Sequence, residues 1–327
     1  MFKNKTILVT GGTGSWGQEL TRKLLIEEPK EIRIFSRNEF TQVEMKRKFN
    51  SPVLNFLIGD IRDYEAVSDA CQNVDFVFHL AALKHVPICE YQPLEALKTN
   101  VNGTQNIIRA SIAQGVVKVI DVSTDKAVDP INFYGMTKAI GEKLIIKAND
   151  LSKHTKFVCI RGGNVLGTNG SVVPLFKQQI AQGKPLTLTD KEMTRFFLTI
   201  PEAIELLIKA ASAAIGGETF VMKMPACKIT DLIDVLKSIY DQNDLPVMEI
   251  GMREGEKLHE VLISRAESLT TFQYDKQYFV ILPSHPDDQL LNHYKHLNNI
   301  GFPYYQSDQE LMSHDEIKLL LKKGKFI

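Results

Sequence analysis

Cysteine is scarce: Cys71, Cys89, Cys159 and Cys227 are the only four, and no two stand in a C-x-x-C spacing. That scatter argues against a disulfide framework and against a cysteine-bound zinc, and it suits a reducing cytoplasm. Of the eight histidines, only His293 and His296 sit at close helical spacing, with no carboxylate to complete a ligand set, so no metal site is expected. An excess of charge is also missing. Lys plus Arg and Asp plus Glu number 39 each, which leaves no basic field for nucleic acid or anionic lipid. The basic ending "KLLLKKGKFI" reads as a solvated helix end.

Long apolar runs are absent as well. None approaches the roughly 18 residues that a membrane span requires. The opening "MFKNKTILVTGG" has too short an apolar stretch before Thr10 to be a signal peptide. There is no internal repeat and no Pro-, Gly- or Ser-rich linker. What is present, 44% hydrophobic and 24% charged residues over 327 positions, is ordinary globular material.

The first half alternates two kinds of segment. "TILVT", "EIRIFS", "VLNFLIG", "VDFVFHL", "VVKVIDVS" and "KFVCI" are near-continuously apolar, as strands of a parallel sheet covered on both faces are. Between them, "WGQELTRKLLIEE", "FTQVEMKRKF", "YEAVSDACQ", "EALKTNVNGTQNIIRASIAQG" and "YGMTKAIGEKLIIKAND" read as helices. The alternation predicts α/β architecture, a Rossmann-type doubly wound parallel sheet. Beyond about residue 162 the elements become mixed and shorter. The expected division is a dinucleotide-binding domain over 1–165, with part of 195–222 returning to it. A smaller interleaved substrate lobe follows over 166–283. The tail over 284–327 has no assigned role, although "HDEIKLLLKK" within it looks helical.

Directly after the first strand, "TGGTGSWG" sets Gly11, Gly14 and Gly17 at G-x-x-G-x-x-G spacing and leads into a helix. Such a turn brings backbone close to a pyrophosphate, whose charge then meets the helix N-terminus. Gly11, Thr13, Gly14, Ser15, Trp16 and Gly17 are therefore candidate dinucleotide contacts. At the end of the second strand, where an NAD enzyme usually carries an acidic residue, stand Ser36 and Arg37. A hydroxyl and a guanidinium suit a 2′-phosphate, which favours NADP over NAD. Asp60 and Ile61 close the third strand where an adenine would lie. Ala81, Ala82, Lys84 and His85 follow the fourth strand and are expected beside the nicotinamide and the substrate; His85 reads equally as a hydrogen-bonded structural histidine.

In "STDKAVDPINFYGMTK", Tyr134 and Lys138 fall one helical turn apart on one face. A lysine beside a positive nicotinamide lowers the phenol's pKa towards neutrality, so that Tyr134 can take a hydroxyl proton while hydride leaves the same carbon. The plain alternative is an exposed surface pair. Asp125 and Lys126, at a strand's carboxyl end just before this helix, have no place in simple alcohol oxidation.

These motifs, over residues 1 to about 265, resemble the extended short-chain dehydrogenase/reductase superfamily. "AALKHVPICEYQPLEALKTNVNGTQN", "STDKAVDPINFYGMTK", "GNVLGTNGSVVPLF", "MTRFFLT" and "GMREGEKLHEVL" look specifically like the inverting UDP-N-acetylglucosamine 4,6-dehydratases. Gly162, where a tyrosine is expected, and Met252, where a proline is usual, depart from that pattern. The resemblance implies that Lys126 is a base at C5 and Asp125 an acid at O6. Thr124 would bind near O4 beside Tyr134. It further implies Lys84, His85, Asn164 and Val172 around a UDP-sugar, with Arg195 and Arg253 on the diphosphate, and a homo-oligomer, possibly a hexamer. The expected reaction is NADP-dependent dehydration of UDP-N-acetylglucosamine with inversion at C5. Rivals are a 4-epimerase or a C5-retaining dehydratase of the same sugar and, from another class, an NADP-sensing regulatory protein.

Overall fold

The computed structural model describes residues 1–167 and 171–327, so Thr168, Asn169 and Gly170 of the quoted stretch 163–176 lie outside the described residues. The chain opens with β1 (Thr6–Thr10), α1 (Ser15–Ile26), β2 (Glu31–Ser36), α2 (Glu39–Phe49), β3 (Leu54–Ile58), α3 (Tyr64–Ala70) and β4 (Phe76–His79). Next come α4 (Val86–Tyr91), α5 (Pro93–Leu97), a π-helical turn (Lys98–Asn102), α6 (Gly103–Ala113), β5 (Lys118–Thr124), a 3-10 turn (Asp125–Ala127), α7 (Phe133–Lys147) and β6 (Lys156–Gly162). The second half holds β7 (Asn164–Leu166), α8 (Val172–Ala181), β8 (Leu186–Leu188), β9 (Thr194–Thr199), α9 (Ile200–Ala213), β10 (Thr219–Met222), β11 (Ala226–Lys228), α10 (Ile229–Ile239) and β12 (Val247–Glu249). It ends with β13 (Val261–Ile263), α11 (Arg265–Ser268), β14 (Thr271–Gln273), β15 (Tyr278–Ile281), α12 (Asp288–Tyr294), β16 (Tyr305–Gln306) and α13 (His314–Lys323).

One nine-stranded sheet, ordered β14-β15-β10-β6-β5-β4-β1-β2-β3, forms the centre of the molecule. From β3 to β10 all neighbours run parallel, and β15 and β14 add on antiparallel. This is the doubly wound α/β sheet that the alternating segments predict. Every residue of β1 and β4 is buried, which explains their unbroken apolar runs. The order reverses between β1 and β4, where open α/β sheets bind ligands at the carboxyl ends of their strands. Strand β10, from the second half, returns to this sheet beside β6.

The remaining strands form a three-stranded sheet, β11-β9-β7, and two pairs, β8 with β12 and β13 with β16. Around them lies a second core that includes Phe176, Leu186, Phe197, Ile233 and Leu236. Ile317, Leu320 and Leu321 of α13 belong to it, so the end of the tail is built into this lobe. Helix α9 begins with a capping box: the Thr199 hydroxyl accepts from Glu202 N, and the Glu202 carboxylate accepts from Thr199 N.

The stretch read as one helix over 95–115 is interrupted. Its start is α5, opened by Pro93, and the π turn then separates α5 from α6. That wide turn carries Asn100, whose amide donates to Leu83 O at 2.9 Å and to Thr137 Oγ1 at 2.9 Å and accepts from Leu83 N at 2.8 Å. A π turn often marks a functional site, and this one ties the loop leading to Lys84 and His85 onto α7. No helix among the described residues is long and apolar enough to cross a membrane.

Candidate active site

A cleft of about 930 Å³ runs across the carboxyl ends of the parallel strands and under the second lobe. Its floor begins at the glycine loop. Gly11 sits at φ +66°, and a Cβ there would come within 2.9 Å of the Ala81 backbone. At Gly17 a Cβ would fall 2.3 Å from Gly12 O, so α1 packs against the loop only because that position is glycine. Gly14 precedes α1 with no side-chain cap, and no acidic residue occupies the first turn. The free N–H groups and positive end of a twelve-residue helix therefore face the loop, an arrangement that fits a dinucleotide pyrophosphate. Gly11, Thr13, Gly14, Ser15, Trp16 and Gly17 all line the cleft, as do Ser36, Arg37, Asp60, Ile61, Ala81, Ala82, Lys84 and His85.

Around the β2 end the groups have distinct commitments. Ser36 Oγ accepts from Gln42 Nε2 at 3.0 Å, and Arg37 is more than half exposed with Nη1 4.0 Å from Asp60 Oδ2. Asp60 is held more firmly by Arg62, at 2.6 Å. Arg37 is thus the loosely engaged guanidinium at this edge.

Deeper in the cleft, the Asn132 side chain caps α7 by accepting from Gly135 N at 2.7 Å and donates to Gly255 O at 2.8 Å. The cap fixes the first turn, which carries Tyr134, and links it to the loop of Arg253. Tyr134 and Lys138 are both buried in the cleft wall. Lys138 Nζ meets the carboxylate of Asp121, from the middle of β5, at 3.4 and 3.5 Å. Burial raises the Tyr134 phenol above its ordinary pKa, and the opposing pulls of Lys138 and Lys126 do not overcome it. The Lys138 ammonium shares its field with Asp121, and in the chain alone desolvation of the phenol dominates.

Thr124, Asp125 and Lys126 come from the end of β5 and the 3-10 turn. Thr124 Oγ1 donates to Asp125 Oδ1 at 2.9 Å, and Lys126 Nζ lies 3.1 Å from that same oxygen. Lys126 Nζ also reaches Asn164 Oδ1 at 3.3 Å and Glu260 Oε1 at 3.2 Å. Three acceptors surround the ammonium. Burial works against that charge, but Asp125 and Glu260 outweigh it and hold the Lys126 pKa above its ordinary value. Asp125 is wholly buried behind the wall, with Oδ2 unpartnered and 3.2 Å from where a Cβ on Gly163 would stand. Burial raises its pKa, Lys126 opposes and Glu260 adds to the rise. Thr124 and Lys126 line the cleft in front of it.

On the lobe side, Asn164, Val172, Arg195 and Arg253 line the same cleft. Arg195 is almost buried. Its Nη1 donates to Thr194 O at 2.7 Å and to Leu258 O at 3.1 Å, and its Nε lies 3.7 Å from Glu260 Oε1. Arg253 is exposed, with Nη1 4.0 Å from Glu256. The two arginines therefore differ: Arg195 is fixed in the cleft wall, and Arg253 projects from the rim.

Two carboxylates at this site were not singled out from the sequence. Asp121 interrupts the apolar run "KVIDVS", and Glu260 stands between Leu258 and the apolar residues of β13. A charge inside a strand-like run is the signal that could have found each.

A family model described as "Polysaccharide biosynthesis protein" matches residues 7–282. Over 288 residues, 87% of this chain and 84% of the relative, the sequence is 46% identical to "UDP-N-acetylglucosamine 4,6-dehydratase (inverting)" of Campylobacter jejuni. It is also 46% identical, over 82% of this chain and 80% of the relative, to "UDP-glucose 4-epimerase" of Rickettsia conorii. Among solved structures, Pen from Bacillus thuringiensis superposes with a TM-score of 0.91 at 40% identity, over 98% of this chain and 99% of Pen.

Proposed function

The chain belongs to the polysaccharide biosynthesis protein family, and from that premise we propose that it is an NADP-dependent UDP-N-acetylglucosamine 4,6-dehydratase that inverts C5. Relatives named as nucleotide-sugar dehydratases and epimerases support nucleotide-sugar chemistry on this fold. The observation that favours dehydration is the Asp125 and Lys126 pair beside Tyr134. Epimerization at C4 needs the tyrosine and its lysine but neither an acid nor a base aimed at C5 and C6.

The glycine loop and the start of α1 would hold the pyrophosphate, with Ser36 and Arg37 toward a 2′-phosphate. A bound dinucleotide would supply the hydride chemistry at C4 and C6, and beside its positive ring Lys138 and Lys126 would draw down the Tyr134 phenol. Tyr134 takes the proton of the 4-hydroxyl. The resulting ketone acidifies C5, whose proton passes to the Lys126 amine. Asp125, whose proton affinity burial raises, supplies the proton with which the 6-hydroxyl leaves as water, through Thr124 at the cleft surface. Lys126 must reach this step as a neutral amine. Transfer of its proton to Asp125 within the pair produces both required forms at once and changes no net charge.

The test is product identification by NMR after incubation with UDP-N-acetylglucosamine. The expected product is the L-configured 4-keto-6-deoxy sugar, with deuterium from substrate C4 found at C6 and, in D₂O, label at C5. A C4 label retained at C4 with C5 unlabelled would identify an epimerase. Transfer to C6 with C5 configuration kept would identify a retaining dehydratase.

A further inference from the structure

Glu260 lies just before β13, 134 positions beyond Lys126 in the sequence, yet its Oε1 is 3.2 Å from Lys126 Nζ. The side chain is 3% exposed, and its second oxygen, Oε2, has no hydrogen-bond partner. A buried carboxylate without full pairing is costly, so its retention beside the reacting groups calls for a reason. Its placement is secured from the tail: Glu260 N donates to Ser307 Oγ at 2.9 Å, and Ser307 N donates to Glu260 O at 2.9 Å. Thr194 Oγ1 in turn meets Ser307 Oγ at 2.7 Å and His259 Nδ1 at 2.9 Å. The charged groups facing Glu260 are Lys126 from the 3-10 turn, Arg195 from β9 and Lys257 from the preceding loop, with Asp125 as the like charge beyond Lys126.

We propose that Glu260 is a positioning residue for Lys126: it orients the Lys126 amine in the cleft wall and supplies the fixed anion that stabilises this group as it becomes an ammonium. The inference rests on the dehydratase reading. In the elimination, the C5–H bond breaks and its proton joins the Lys126 amine, the electron pair forms the C5–C6 bond order, and the C6–O bond breaks. Asp125 gives its proton to that oxygen, so water leaves and Asp125 becomes a carboxylate. Net charge over Asp125, Lys126 and Glu260 is the same before and after. Without Glu260, Asp125 is the only anion adjoining the new ammonium.

An anion beside two titrating groups raises the proton affinity of both. Replacing it by an isosteric amide therefore shifts both limbs of the pH profile in one direction. For Glu260→Gln, the bell-shaped profile of kcat should move to lower pH on both limbs, by about one pH unit. Turnover at the optimum should fall about tenfold or more. Binding of NADP, followed by calorimetry, should match the wild type. Glu260→Asp, which keeps the charge but draws it back by one methylene, should lie between wild type and Glu260→Gln in both respects.

Reduced turnover with unmoved limbs would make Glu260 merely structural and overturn the proposal, as would limbs moving to higher pH. If Glu260→Gln does not fold, Glu260→Asp decides alone: limbs and rate equal to wild type would refute the assignment. The wild-type arm reports separately on the premise. A wild type that yields no 4-keto-6-deoxy product refutes the dehydratase reading and this inference with it, whereas normal product with unmoved variant limbs refutes only the role of Glu260.

Discussion

Lys138 Nζ lies 3.4 Å from Asp121 Oδ2, with Asp121 wholly buried and Lys138 nearly so at the cleft wall. Burial disfavours the ammonium, but Asp121 reverses the balance and raises the Lys138 pKa. Asp121→Asn leaves that buried ammonium without its anion and should destabilise the fold by about 3 kcal/mol in urea unfolding. Asp121→Leu combined with Lys138→Met should regain most of that loss, although it removes activity. A single Asp121→Asn variant as stable as wild type would show that the pair contributes nothing.

In the proposed function, Arg37, exposed at the β2 end, is the residue on which a preference for NADP would rest. Arg37→Asp should weaken NADP binding by about 1.5 to 3 kcal/mol, the scale of charge-assisted hydrogen bonds, and leave NAD binding nearly unchanged. Calorimetry with each dinucleotide measures this. Equal wild-type affinity for the two would refute the preference.

In the proposed mechanism Tyr134 and Lys126 serve different steps, so their variants should fail differently. Tyr134→Phe should stop C4 oxidation, while Lys126→Ala should still oxidise C4 but not eliminate, with losses of about 10²- to 10⁴-fold in overall turnover. Single-turnover analysis of C4-labelled substrate separates the two. Wild-type turnover in Lys126→Ala would remove Lys126 from the mechanism.

Glu267 gives the fold an acid-sensitive bond. Burial alone would raise its pKa, but Arg161, 2.8 Å away, and Ser264 lower it from 4.5 to about 2. Because the folded value lies below the unfolded one, this stabilisation is complete above about 4.5 and is lost as pH falls toward about 2. Arg161 also pairs with Glu142 of α7 at 2.6 Å, so the bond joins the helix of Tyr134 to α11. Glu267→Gln should be less stable at neutral pH and should lose less stability than wild type across that acidic window, as followed by denaturant midpoints at each pH.

The alternating strands and helices of the first half were legible in the sequence because each is encoded locally, by apolar runs buried on both faces or by a helical stripe. The glycine loop and the Tyr134 to Lys138 spacing were legible for the same reason: neighbours in sequence form the turn and share the helix face. The break in the helix over 95–115 was not, since its π turn is held by Asn100 contacts to Leu83 and Thr137, from two other segments. Nor was the role of the tail, whose Ser307 fastens Glu260 and whose α13 closes the second core. The sequence by itself determined which reactive groups the chain carries and the order of its elements. Only the tertiary structure decided their electrostatic state. Asp125 is sealed from water, Lys126 stands between two carboxylates, and Tyr134 is raised by burial despite two nearby lysines. Proton affinity depends on desolvation and on charges a few ångströms away, and at this site one of those charges, Glu260, stands more than a hundred positions from the Lys126 it meets.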